Sequence, residues 1–102
     1  VKIVLFRNHP KEGAYGDEYR SLQGKLVKAV SAIPGFVSVE EFRGAGGEVL
    51  ILAKFESDEA LAAWREHPEH RGAQGRRGEF YTDYTVDVCT LDRRYGWPAA
   101  GQ

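Results

Sequence analysis

Two stretches of this chain carry apolar side chains at both odd and even positions, and that property constrains its fold more than any other. In Val1–Asn8, Val1, Ile3 and Leu5 alternate with Val4 and Phe6. In Glu48–Phe55, Val49, Ile51 and Phe55 alternate with Leu50 and Leu52. Successive residues of a strand point to opposite faces, so strands of this kind belong to a sheet covered on both sides. A third stretch, Phe36–Arg43, reads the same way, with Val37 and Val39 on one face and Phe36 and Phe42 on the other.

Between the first two strands lies the clearest helical pattern. Tyr15, Tyr19, Leu22, Leu26, Ala29, Val30 and Ile33 recur at steps of three and four, and Pro34-Gly35 ends the run. Gly44-Ala45-Gly46-Gly47 predicts a hairpin between the second and third strands. Ser57, followed by Asp58 and Glu59, predicts the capped start of a second helix through Leu61 and Trp64 to about His67. Pro68 breaks that helix, and a short one restarts there to about Arg76. From Phe80 the period returns to two, with Phe80, Tyr84, Val86 and Val88 on one face of a last strand ending near Leu91. The order is β-α-β-β-α-β, an α+β ferredoxin-like plait with an antiparallel sheet. Two helices cover one sheet face. The apolar residues of the other predict a partner, most simply a second copy packed sheet to sheet as a homodimer.

At 102 residues the chain is expected to be a single domain, 1–102, with a C-terminal tail from about residue 93. Fourteen Lys and Arg against 15 Asp and Glu leave a net charge of −1, which argues against nucleic acid as a partner. One cysteine excludes an intrachain disulfide and a cysteine-built metal centre. No apolar run approaches the ~20 residues of a membrane span, and Val1–Phe6 is too short for a signal-peptide core, so a soluble cytoplasmic domain is expected.

The residues with chemical potential are few. Trp64 offers a flat wall and one N–H donor, against the plainer reading of a core tryptophan. Asn8 shares strand parity with Val4 and Phe6, so its amide would point into the layer holding Trp64; otherwise it only initiates the turn at His9-Pro10. His67 and His70 are three apart, but Pro68 between them and the missing third ligand argue against metal. The arginines at 65, 71, 76 and 77 alternate with glutamates and read as a solvated mixed-charge face. Tyr81 and Tyr84 fall on opposite strand faces, so only one can line a given cavity. Cys89 has no basic neighbour to activate it.

The segment Phe55-Glu56-Ser57-Asp58-Glu59-Ala60-Leu61-Ala62-Ala63-Trp64, followed by His67-Pro68-Glu69-His70-Arg71-Gly72-Ala73-Gln74, with Asn8 on the first strand, resembles the antibiotic biosynthesis monooxygenase superfamily. The resemblance implies a dimeric α/β barrel. It also implies a cofactor-independent monooxygenase that oxidises a small phenolic, quinol or polyketide-like aromatic substrate with O2. Asn8, Trp64 and His70 are then the expected catalytic residues, with Phe6, His67, Gln74 and Tyr84 around the substrate and no metal or cofactor. The haem-degrading branch is similar at Asn8 and Trp64, but its iron-binding histidine falls at Gln74 here, and an amide is a poor haem ligand. The polyketide-oxygenase branch pairs its Trp with an Asn one turn earlier and a Tyr six residues later, where this chain has Ala60 and His70. Two alternatives stand beside the oxygenase: a haem-binding or haem-degrading protein, and a non-enzymatic, stress-associated ligand-binding barrel.

Overall fold

The structure, a computed structural model, describes residues 1–98. Four strands, β1 (Lys2–Pro10), β2 (Phe36–Arg43), β3 (Val49–Phe55) and β4 (Tyr81–Thr90), form one antiparallel sheet in the order β2-β3-β1-β4. Helices α1 (Asp17–Ser31), α2 (Asp58–Glu66), α3 (Pro68–Gln74) and the single turn α4 (Arg77–Phe80) complete the plait. Residues 91–98 follow β4 without regular structure, and the end of the expected tail lies outside the described residues.

Cross-strand pairing sorts the side chains into two faces. Val4 lies opposite Ala53 and Val88, and Phe6 opposite Ile51 and Val86, all on the face under the helices. Ile3, Leu5, Leu50, Leu52 and Phe42 take the other face. Phe42 there is 48% exposed.

Two irregularities correct the simple alternation. The β2–β3 register slips between Phe36 and Ser38, so Phe36 turns toward the helices and packs on Phe55, while Val37 is left exposed. A bulge of this kind inserts one residue and reverses the parity beyond it. The β1–β4 register slips between His9 and Pro10, and as a result Tyr81 and Tyr84 both reach the Phe6 ring, at 5.2 and 5.6 Å. Phe80 belongs to α4 and not to the last strand.

The core is divided. One cluster joins Val30, Phe55, Ala60 and Leu61; a second joins Tyr19, Phe80 and Tyr81. Gly35 holds the first together. It sits at φ +91°, a Cβ there would lie 2.8 Å from the Ala60 Cβ, and its carbonyl accepts the Glu56 N–H at 2.7 Å. Only glycine permits that conformation and that approach.

Candidate functional site

Between the two clusters the interior is open. A cavity of about 410 Å³ lies under α1, bounded by the sheet on one side and by α2, α3 and α4 on the other. Its wall is mostly aliphatic and aromatic, which suits a ligand of similar character. Phe6, Trp64, His70 and Gln74 line it, joined by Arg65 and Arg77.

The placement of Trp64 and His70 follows from local chemistry. The Ser57 hydroxyl accepts the Ala60 N–H at 3.2 Å and starts α2, and Leu61 anchors the helix in the core, with Trp64 one turn later. In an unbroken helix, residues six apart point about 240° apart. Pro68 prevents this. His67, with ψ 135°, ends α2 and caps α3, its Nδ1 accepting the Glu69 N–H at 3.1 Å. The redirected α3 lays the His70 ring on Trp64, with centroids 4.7 Å apart and planes tilted by 33°. The proline that spoils a metal geometry is what brings imidazole and indole together. Burial holds the His70 pKa below its ordinary 6.5, and Arg77 and His67 push it the same way, against the backbone carbonyl of Arg65. Its Nδ1 is buried without a hydrogen-bond partner.

Arg77 was hidden in the sequence by its neighbours. Arg76 pairs with Glu18 and Glu79 at the surface. The α4 turn sends Arg77 inward instead, its guanidinium 5.0 Å from the Phe6 centroid and 4.9 Å from that of Tyr84. Stacking between two rings fixes a positive charge at the cavity wall. A short turn between two arginines carries no periodic signal that would have distinguished them.

The remaining expected site residues lie elsewhere. Asn8 is wholly buried one pair beyond Phe6 along β1, opposite Val49 and Tyr84, and does not line the cavity. Neither its Oδ1 nor its Nδ2 has a hydrogen-bond partner. His67 acts as a cap outside the cavity, its ring 5.6 Å from Trp64. Tyr84 is 45% exposed and reaches the site only by stacking with Phe6 and Arg77. Tyr81, on the same side through the β1 bulge, lines the cavity in its place.

The donor set does not fit haem. Gln74, on the cavity wall where the haem-degrading branch carries its iron-binding histidine, supplies only an amide. A neutral amide is a poor axial ligand for haem iron compared with imidazole. Among the described residues no three His, Cys, Asp or Glu side chains could hold a metal ion together. What the site offers is an apolar enclosure, a neutral imidazole, an indole wall and a fixed cation.

The chain is similar to known proteins over most of its length. The chain is 32% identical over 92 residues to YqjZ of Bacillus subtilis (strain 168), a protein without an assigned function, covering 89% of this chain and 79% of that one. Rv0793 of Mycobacterium tuberculosis has a similar structure, with a TM-score of 0.79 at 24% identity, over 93% of this chain and 98% of that one. A variant of SnoaB, a cofactor-independent oxygenase from Streptomyces nogalater, shares the fold at a TM-score of 0.75 and 15% identity, over 95% and 96% of the two chains. Residues 3–76, which carry the cavity from β1 to α3, match the family model for antibiotic biosynthesis monooxygenase, and the chain belongs to that family.

Proposed function

We propose that the protein is a cofactor-independent monooxygenase acting on a small phenolic or quinol-like aromatic. The observation that carries this reading is the His70–Trp64 stack beside Arg77 in an apolar cavity. His70, neutral near pH 7 because burial lowers its pKa, takes the phenolic proton. Arg77 favours the phenolate so formed, in surroundings where a fixed charge acts more strongly than in water. The substrate anion then supplies the electrons to O2. A ring carbon bonds one oxygen as a hydroperoxide, the O–O bond breaks, and a quinone leaves with one molecule of water. A phenol plus O2 gives a quinone plus H2O, so no outside reductant is needed. Trp64 holds the ring plane, and the apolar wall keeps bulk water from the anion.

Asn8 enters this reading as a buried amide with no partner for either polar atom, two residues beyond Phe6 and behind the cavity wall. Gln74 and Phe6 border the substrate, while His67 packs against Trp64 and Tyr84 against Arg77. The apolar sheet face of Ile3, Leu5, Leu50, Leu52 and Phe42 pairs with that of a second copy. The exposed, unpaired Cys89 suits the reducing cytoplasm, and no helix of the described residues is long and apolar enough to cross a membrane.

Oxygen uptake with a panel of naphthols and quinols tests the reading. His70→Gln and Arg77→Leu should each slow uptake by about 100-fold, the scale of losing one preorganised group. Uptake that is absent in the wild type, or equal in all three proteins, leaves a binding barrel and removes the enzyme.

A further inference from the structure

A second cavity, of about 440 Å³, lies under the N-terminal half of α1 against β2 and β3. It shares four wall residues with the first, Gln23, Val27, Val39 and Ile51, so the two spaces meet at a common waist. Their chemistry differs. The first is apolar around its imidazole and cation, whereas the second is walled by Tyr15, Tyr19 and Gln23 together with charged residues of both signs.

A hydrogen-bonded chain spans the waist. Gln23 Nε2 donates to the Tyr19 hydroxyl at 3.0 Å, and the Tyr19 and Tyr81 hydroxyls lie 3.2 Å apart, with Tyr81 on the wall of the first cavity. Tyr15 packs its ring on Tyr19, centroids 4.4 Å apart, but its buried hydroxyl makes no well-formed hydrogen bond, only a weak approach to the Tyr19 hydroxyl that Gln23 and Tyr81 already engage. A buried hydroxyl left without a good acceptor is costly, and burial raises the pKa of both phenols, so each keeps its proton. A protonated hydroxyl so placed seeks an acceptor. The cation nearest to it is already matched, because Arg43 lies over the Tyr15 ring and pairs with Glu41 at 3.1 Å, and Glu40 adds a further negative charge to the same wall. The site therefore favours a neutral acceptor over an anion.

We propose that this second cavity is a binding subsite, continuous with the first, that receives a neutral carbonyl or hydroxyl at the far end of an elongated aromatic substrate. Tyr15 donates to that group, the Gln23–Tyr19–Tyr81 chain holds the wall in place, and the reacting end lies beside His70. The subsite rests on the oxygenase reading only for the identity of that reacting end.

A matched pair of probes tests it without turnover: 6-acetyl-2-naphthol and 6-ethyl-2-naphthol, titrated calorimetrically under nitrogen. The acetyl probe should bind the wild type roughly tenfold more tightly, the value of one neutral hydrogen bond. Tyr15→Phe keeps the stacked ring and should bring the ratio to about one. Val39→Phe, which narrows the waist, should weaken both six-substituted probes relative to 2-naphthol. A wild-type ratio near one, or an unchanged ratio in Tyr15→Phe, overturns the subsite. Oxygen uptake measured separately keeps the two readings apart. A preserved ratio without uptake removes the oxygenase and keeps the subsite, and uptake without a ratio does the reverse.

Discussion

Asn8→Leu should make this protein more stable and less active. Asn8 is wholly buried, and both polar atoms of its amide lack partners. Each unsatisfied group costs about 1–3 kcal/mol, so the pair carries a ceiling of about 2–6 kcal/mol. Leucine has the same branching and number of side-chain heavy atoms, but its methyl groups are bulkier, and overpacking returns about 1–3 kcal/mol. The net expectation is a gain of about 2 kcal/mol. In a domain of this size each kcal/mol moves the melting temperature by about 4–8 °C, so the Leu variant should melt about 8–16 °C higher. Asn8→Ala removes the same polar atoms but leaves a void, and its melting temperature should stay near the wild type. Calorimetric melting of the three proteins beside their oxygen uptake gives both readouts. Uptake should fall about 100-fold in both variants if the amide meets a developing oxyanion. A Leu variant less stable than wild type by more than ~1 kcal/mol would refute the reasoning, because it would mean the amide is satisfied in the folded protein.

Other perturbations follow from the same geometry. His70 titrates below 6.5 when folded, so between that lower value and 6.5 the unfolded chain binds more protons and stability falls as pH falls; His70→Gln should flatten this slope in urea titrations. His9 behaves oppositely, because its hydrogen bond to Asp83 raises its pKa; that stabilisation is complete below 6.5 and disappears as pH rises through the folded value, and His9→Gln should abolish the loss. Gly35→Ala forces a side chain to φ +91° and against Ala60, and should cost about 2–3 kcal/mol in denaturant midpoint; a neutral effect would mean that the α1–β2 turn adapts freely. Sheet-to-sheet pairing should bury about 1,600 Å², and Leu52→Glu should convert a sedimenting dimer to monomer; a wild-type monomer at micromolar concentration would exclude that interface.

What the sequence determined by itself was periodicity and punctuation. Alternation placed β1 and β3, three- and four-residue steps placed α1, and Ser57 and Pro68 set the start and the break of α2. These are local properties, written in φ preferences and in which face of an element can be apolar. Tertiary structure alone decided the rest. The slip at His9/Pro10 put Tyr81 and Tyr84 on one ring against strict parity, and the slip at Phe36/Ser38 moved Phe36 into the core. Nothing local distinguishes Arg77 from Arg76; only the rings of Phe6 and Tyr84, about 70 residues away and about 7 residues away in the chain, select one of them for the interior. The same holds for His70, which meets Trp64 because a proline redirects the chain, and for Asn8, whose unpaired amide exists only once β3 and β4 close over it. Bulge position, ring stacking and the void between two core clusters depend on contacts between segments distant in sequence, and a single strand or helix holds no record of them.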